Sequence, residues 1–267
     1  MPYLAAEDAT IFFETTGDHG PWLTLINGHT RSSRDFRLLA TKLSKEGLRC
    51  LLFDNRGSGE TKSSSPFKLI DIAEDAIKLW DHLQIKDSVI CGLSMGGIIC
   101  QMLAYHHPKR VTGLILVATG SSEQSLASEA FTPWGNSPES VEEKLKNYFS
   151  AAFWQRNHLL VRAMSKQILQ DILSQKFEGC AQAQRHAMSG ADTRNLLPSI
   201  NQRTLILHGT EDRIIPVSAG EEIAHLLPHA TLKALPGIGH LVLAESSKVL
   251  YDEILLFIRS SAPAIEP

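Results

Sequence analysis

Ser94 stands in Gly92-Leu-Ser-Met-Gly-Gly97, directly after the strand-like apolar run Asp87-Ser-Val-Ile-Cys91. A serine flanked by glycines at this spacing, where a strand turns into a helix, has its hydroxyl lifted above the sheet on a strained backbone, the arrangement of a nucleophile elbow. Gly92 and Gly96 leave the room that such a turn requires. The next segment, from Met95 to about His107, is expected to form a helix whose first N–H groups face the space beside Ser94 and stabilise negative charge there. Without reactive partners the same residues make a glycine-rich turn and no chemistry.

Partners follow in order. A serine hydroxyl needs a base within hydrogen-bond reach and a carboxylate that fixes the tautomer of that base; on a strand–turn–helix elbow the chain order is serine, acid, histidine. After the strand-like Arg203-Thr-Leu-Ile-Leu-His208 comes Gly209-Thr-Glu-Asp-Arg-Ile-Ile-Pro216, which carries Asp212 in a turn. After Thr231-Leu-Lys-Ala-Leu235 comes Pro236-Gly-Ile-Gly-His240, a loop that delivers His240 ahead of an apolar helix start. Asp212 also fits an Asx turn or helix cap, and Glu211 is its adjacent competitor; the shorter side chain is easier to fix and is preferred. The end of the strand after the elbow helix, Val117-Ala-Thr-Gly-Ser-Ser122, offers no carboxylate. Of the 11 histidines, His106, His107, His225 and His229 fall at helix ends, where complementing the helix dipole accounts for them. His208 either orients the acid loop or is a hydrogen-bonded core residue.

Four motifs, Asp54-Asn-Arg-Gly-Ser-Gly59, Gly92-Leu-Ser-Met-Gly-Gly97, Gly209-Thr-Glu-Asp212 through Pro216 and Gly237-Ile-Gly-His240, resemble in order those of the α/β-hydrolase superfamily, in its branch of small esterases, lactonases and carbon–carbon bond hydrolases. The resemblance spans nearly the whole chain. It implies a backbone N–H from the residue after a His-Gly pair in the loop after the third strand. Here that loop reads Ile26-Asn-Gly-His-Thr30, so the resemblance assigns the oxyanion hole to the backbone N–H groups of His29 and Met95, with Asn27 in place of the usual histidine. Asn27 is expected to fix the loop by side-chain hydrogen bonds and Gly28 to take an unusual backbone angle. Asn27 with the Gly-Leu-Ser-Met-Gly-Gly segment is similar to 3-oxoadipate enol-lactonases. Asp54 and Arg56 are expected to pin their loop structurally, since the segment has neither the glycine spacing nor the lysine of a phosphate-binding loop.

The elements that must position these residues are strands near Tyr3–Ala6, Thr10–Thr15, Trp22–Ile26, Leu48–Asp54, Ser88–Cys91, Gly113–Ala118, Thr204–His208 and Thr231–Leu235, alternating with helices. This predicts an α/β fold: a mostly parallel eight-stranded sheet with an antiparallel start, covered by helices on both faces, with ligands above the carboxyl ends of its strands. Residues 1–120 and 199–267 form the core. Residues 121–198 show no strand pattern, while 141–149 and 159–177 have helical spacing, which predicts an inserted helical lid. Phe131, Trp134, Phe149, Phe153, Trp154 and Met164 are candidate pocket walls, each also explained by packing within the lid.

The 267 residues are 43% hydrophobic and 21% charged with a formal net charge of −3. These values predict a single globular enzyme domain without the basic excess that binds nucleic acid. The start, Met1-Pro-Tyr-Leu-Ala-Ala-Glu-Asp8, has no basic, apolar leader pattern, and no apolar run has membrane-spanning length, which predicts a cytoplasmic protein. Cys50, Cys91, Cys100 and Cys180 have no metal-ligand or redox spacing and are expected to be reduced thiols. No metal or other cofactor is expected. The predicted activity is Ser94-His240-Asp212 hydrolysis of a small-molecule ester or lactone through an acyl-enzyme; the alternatives are carbon–carbon bond hydrolysis, perhydrolysis, or a small-molecule receptor on the same fold.

Overall fold

The structure is a computed structural model that describes residues 2–64, 66–127, 130, 134–173 and 175–260, with 175–178 and 180 described by backbone alone. In chain order the elements are β1 (Tyr3–Ala5), β2 (Ala9–Thr16), β3 (Trp22–Ile26), α1 (Arg37–Ser44), β4 (Arg49–Phe53), β5 (Lys62–Ser63), α2 (Leu69–His82), β6 (Ser88–Leu93), α3 (Met95–His106) and β7 (Val111–Val117). The second half adds α4 (Pro138–Leu145), α5 (Ala151–Arg156), α6 (His158–Leu173), α7 (Gln175–Met188), β8 (Thr204–Gly209), α8 (Val217–Leu226), β9 (Ala230–Leu235), α9 (Val242–Glu245) and α10 (Ser247–Arg259).

One sheet runs in the order β1-β2-β4-β3-β6-β7-β8-β9. Its start is antiparallel, β1 and β4 pairing with β2, and every pair from β4 through β3 to β9 is parallel. Both faces are covered, so the central strands are mostly apolar and all six residues of β6 are buried. The period-two alternation of a strand sorts these side chains between two cores. Leu114 and Leu116 of β7 join Trp80, Ile98 and Leu103 on one face, whereas Ile115 and Val117 join Leu43, Leu250 and Ile254 on the other. The sheet has nine strands where eight were expected. The ninth, β5, is a two-residue edge pair against Ala9 and Thr10, and its Lys-Ser sequence carries no apolar alternation.

Between β7 and β8 the described residues hold the helices α4 to α7 and no strand, only an isolated bridge of Ser122 with Asp192. The stretch expected to be helical over 159–177 covers α6 and the first residues of α7. The rest of α7 carries weak apolar spacing because the face it buries holds Ala181, Gln184 and Ala187, small and polar residues in place of large apolar ones.

The loop after β4 is held by charge. The Arg56 guanidinium, 2% exposed, pairs with Asp75 at 2.6 and 2.9 Å and with Asp8 at 2.6 and 2.9 Å. Asp54 accepts the N–H groups of Ser33 and Glu60. Removing one member of a buried ion pair strands the other. Arg56→Met is therefore expected to lower the unfolding free energy by about 3 kcal/mol, read from urea denaturation; a loss within error of zero would refute the pinning role.

Candidate active site

The turn between β6 and α3 is Ser94, with φ 56° and ψ −121°. A non-glycine residue at such an angle stores about 1–3 kcal/mol. The strain is held by close packing on either side: a Cβ on Gly92 would lie 2.2 Å from the Gly96 carbonyl oxygen, and one on Gly96 would lie 2.2 Å from that of Ile26. Both backbone groups of Ser94 are tied to the end of β7, its N–H donating to the Val117 carbonyl at 2.9 Å and its carbonyl accepting from Thr119 Oγ1 at 2.7 Å.

His240 lies between Ser94 and Asp212. Its Nδ1 is 2.8 Å from Asp212 Oδ2 and its Nε2 is 3.2 Å from Ser94 Oγ. With Asp212 ionised, Nδ1–H donates to the carboxylate and Nε2 is left to accept from the serine hydroxyl. Burial pushes the Asp212 carboxyl up, but the charge of His240, hydrogen bonding with His208 and His240 and the Ile215 N–H outweigh it and hold the group well below the usual carboxylate range. Asp212 Oδ1 accepts from Ile214 and Ile215 N–H, both at 2.9 Å. His208 donates Nε2–H to the Ile215 carbonyl at 2.8 Å and lies 3.4 Å from Asp212 Oδ2, so it supports the acid loop from within the core. Glu211 points elsewhere: its Oε2 accepts the Ala151 N–H at the start of α5.

Contacts of three residues with this site were not foreseen from the sequence. The Tyr148 carbonyl accepts the His240 N–H at 2.8 Å, and the Tyr148 ring meets the imidazole edge-on at 5.7 Å. Glu245 Oε1 accepts from Ser150 N–H and Gly239 N–H, and its Oε2 accepts from Ser150 Oγ. Gln184 accepts the Thr30 N–H at 2.6 Å and donates to the Arg56 carbonyl at 2.8 Å.

The loop after β3 is fixed as Asn27 was expected to fix it, its Nδ2 donating to the Ser32 carbonyl and to Asp35 and its Oδ1 accepting from Gly28 N–H. Gly28, however, does not take a left-handed angle; Thr30 does, at φ 61°. What Gly28 contributes is space, since a Cβ there would stand 3.2 Å from Ser94 Cβ. His29 donates Nε2–H to the Ala181 carbonyl of α7.

Ser94, Met95, His29 and His240 line one cavity of about 1060 Å³ whose walls also include residues of α4, α6 and α7, of the loop after β3 and of the segment between β7 and α4. Of the six candidate wall residues, Trp134 and Met164 reach it. Phe149, Phe153 and Trp154 belong with them to one apolar cluster that includes Val141, Leu145 and Val161 but do not line the cavity, and Phe131 lies outside the described residues. Cys50, Cys91 and Cys100 are buried free thiols, and burial raises the first two to about 12; the Cys180 side chain lies outside the description. Among the described residues no group of three or more His, Cys, Asp or Glu side chains is gathered to hold a metal ion, and no helix is long and apolar enough to cross a membrane.

A family model described as the alpha/beta hydrolase fold matches residues 21–247. The chain belongs to the α/β-hydrolase family. Within that family it is 29% identical over 279 residues to a non-heme haloperoxidase of Rhodococcus erythropolis, covering 97% of this chain and 100% of that protein. It is 26% identical over 196 residues to 3-oxoadipate enol-lactonase 2 of Acinetobacter baylyi, 69% of each. Among solved structures, the α/β-hydrolase MGS-M2 from a Medee basin deep-sea metagenome superposes with a TM-score of 0.87 over 99% of both chains at 17% identity, a likeness of fold.

Because folding depresses the Asp212 pKa below its ordinary 3.8, the ionised carboxylate stabilises the protein above about pH 4, and that contribution is lost as pH falls further. Wild type is expected to exceed Asp212→Asn in urea-unfolding free energy near pH 7, with the gap narrowing below about pH 4. A gap that stays constant down to about pH 3 contradicts the assignment.

Proposed function

We propose that the protein is a serine hydrolase that transfers the acyl group of a small to medium carboxylic ester or lactone to water. The observation that carries this is the unbroken chain from Ser94 Oγ through both ring nitrogens of His240 to a buried, ionised Asp212. His240 Nε2 takes the serine proton as Oγ attacks the carbonyl carbon, and the carbonyl π electrons move onto oxygen. The backbone N–H groups of His29 and Met95 receive that oxyanion; Met95 opens α3, where the first N–H groups have no intrahelical acceptor. Collapse expels the alkoxide, which takes the proton from His240. Water then attacks the acyl-enzyme by the same route and releases the acid and Ser94. Asp212 holds the tautomer and offsets the imidazolium charge. The helices within 121–198 serve as a lid that walls the pocket and excludes water.

A second reading is favoured by the likeness to a non-heme haloperoxidase. Hydrogen peroxide in place of water as acyl acceptor would give a peracid from the same acyl-enzyme.

Wild type is expected to be labelled by a fluorophosphonate probe and to hydrolyse p-nitrophenyl esters, and Ser94→Ala to lose labelling and at least about 10³-fold in kcat with its circular dichroism and melting temperature unchanged. Activity surviving in pure Ser94→Ala overturns the nucleophile. Absence of labelling in folded wild type favours a receptor on this fold, and peroxide-dependent halide oxidation in acetate favours the second reading.

A further inference from the structure

The turn that carries the His29 N–H stands in a backbone conformation that its sequence does not favour. Arg31 N–H donates to the Gly28 carbonyl at 3.2 Å, which closes a four-residue turn with His29 and Thr30 at its centre. Thr30 stands at φ 61°, a left-handed angle that ordinarily calls for glycine at this turn position and that a β-branched residue resists. The strain is relieved when the peptide unit between His29 and Thr30 turns over, which sends the His29 carbonyl and the Thr30 N–H to opposite sides. Both of those groups are held. Thr30 Oγ1 donates to the His29 carbonyl at 2.7 Å, and the Thr30 N–H donates to Gln184 Oε1 at 2.6 Å.

Gln184 comes from α7 and is wholly buried. Its amide cannot be reversed, because the Arg56 carbonyl, 2.8 Å from Nε2, only accepts and the Thr30 N–H only donates. Arg56 is fixed in turn by Asp8 and Asp75. The adjacent Asn55 donates Nδ2–H to the Asn27 carbonyl at 2.8 Å, so the loop on which Gln184 leans is itself tied to the residue that follows β3. One turn of α7 earlier, the Ala181 carbonyl accepts from His29 Nε2–H at 3.1 Å. The helix thus grips both central residues of the turn. His29 and Thr30 line the cavity with Ser94, whereas Gln184 does not, and the His29 N–H has no acceptor among the described residues.

We propose that Gln184 is a positioning residue for the oxyanion hole: from outside the cavity it holds the Thr30 peptide unit, and with it the turn that aims the His29 N–H beside Ser94. This role rests on the hydrolase reading and gives the insertion a part in the chemistry itself. With the Gln184 acceptor gone, the Thr30 N–H is left without a partner and the strained peptide unit turns over to find one. The His29 N–H then loses its setting, and the oxyanion keeps the Met95 donor alone. Gln184 does not touch substrate, so ground-state binding is preserved and the loss falls on the steps in which charge gathers on the carbonyl oxygen.

The test pairs p-nitrophenyl butyrate with its thionoester, in which sulfur replaces the carbonyl oxygen and accepts hydrogen bonds poorly, in wild type, Gln184→Met and Gln184→Glu. Gln184→Met is expected to lose about tenfold or more in kcat on the oxoester, a part of what removing a whole oxyanion donor costs. Acylation and deacylation both pass through the oxyanion, so KM is expected to stay within about twofold of wild type. The ratio of oxoester to thionoester kcat/KM is expected to fall as well, because the thionoester draws little on the hole in the first place. Gln184→Glu, whose carboxyl oxygen accepts the Thr30 N–H in either protonation state, is expected to keep the wild-type ratio. Gln184→Asn, too short to reach both partners, takes the place of the methionine variant if circular dichroism shows that one unfolded. A kcat within about twofold of wild type, an equal loss on both esters such as a general loosening of the fold produces, or a Gln184→Glu ratio as low as that of Gln184→Met overturns the role. Failure of the hydrolase reading is separate, seen as Ser94→Ala turning over both esters as wild type does.

Discussion

The backbone of Ser94 stands at an angle that costs energy, and it stays there because no side chain can stand at Gly92 or Gly96 without striking backbone. That constraint couples three strands. β3 supplies the carbonyl that Gly96 faces, β6 runs into the turn, and β7 ties both the N–H and, through Thr119, the carbonyl of the serine. A rigid anchor of this kind lets the loops after β8 and β9 be placed to hydrogen-bond precision, since the hydroxyl they must meet does not wander.

Asp212 and His240, the proposed acid and base, are then secured from outside as well as from within. Asp212 is held by its own loop and by His208. His240 is held at its backbone by Tyr148, and the preceding Gly239 shares the Glu245 carboxylate with Ser150. Burial raises the pKa of Glu245, so this carboxylate owes its place to the donors around it. Thr30, in the loop after β3, is held from α7 through Gln184. Residues of the segment between β7 and β8 thus fix geometry on the sheet side while others of that segment wall the cavity.

Legibility in the sequence followed the range of the interaction. The elbow, Asp212 and His240 were readable because each is written in a few consecutive residues: an apolar strand, then glycine, proline or aspartate at a turn. Trp22–Ile26 was readable to the residue, since a fully buried strand is a plain apolar run. β5 was not, because a two-residue polar edge carries no pattern. The far end of α7 was only weakly so, because it buries Ala181 and Gln184 where periodicity looks for leucine. Tyr148 and Glu245 carried no local signal at all; Glu245 meets a serine 95 residues away, and nothing around either position announces the other. Among the aromatics of the insertion, spacing could not separate Trp134, which reaches the cavity, from Phe149, which stacks on Phe153.

Gln184 carries a consequence for how such proteins diversify. Its one amide satisfies a donor on the loop after β3 and uses a carbonyl of the Arg56 loop, both on the sheet side of the molecule. An insertion transplanted from another family member therefore cannot be chosen for pocket shape alone. It must bring an amide to that position and a hydroxyl to that of Ser150, or it leaves buried polar groups on the host unpaired. New specificities on this scaffold are reached more cheaply by changing cavity-lining side chains such as Met164 within the existing helices than by exchanging the helices themselves.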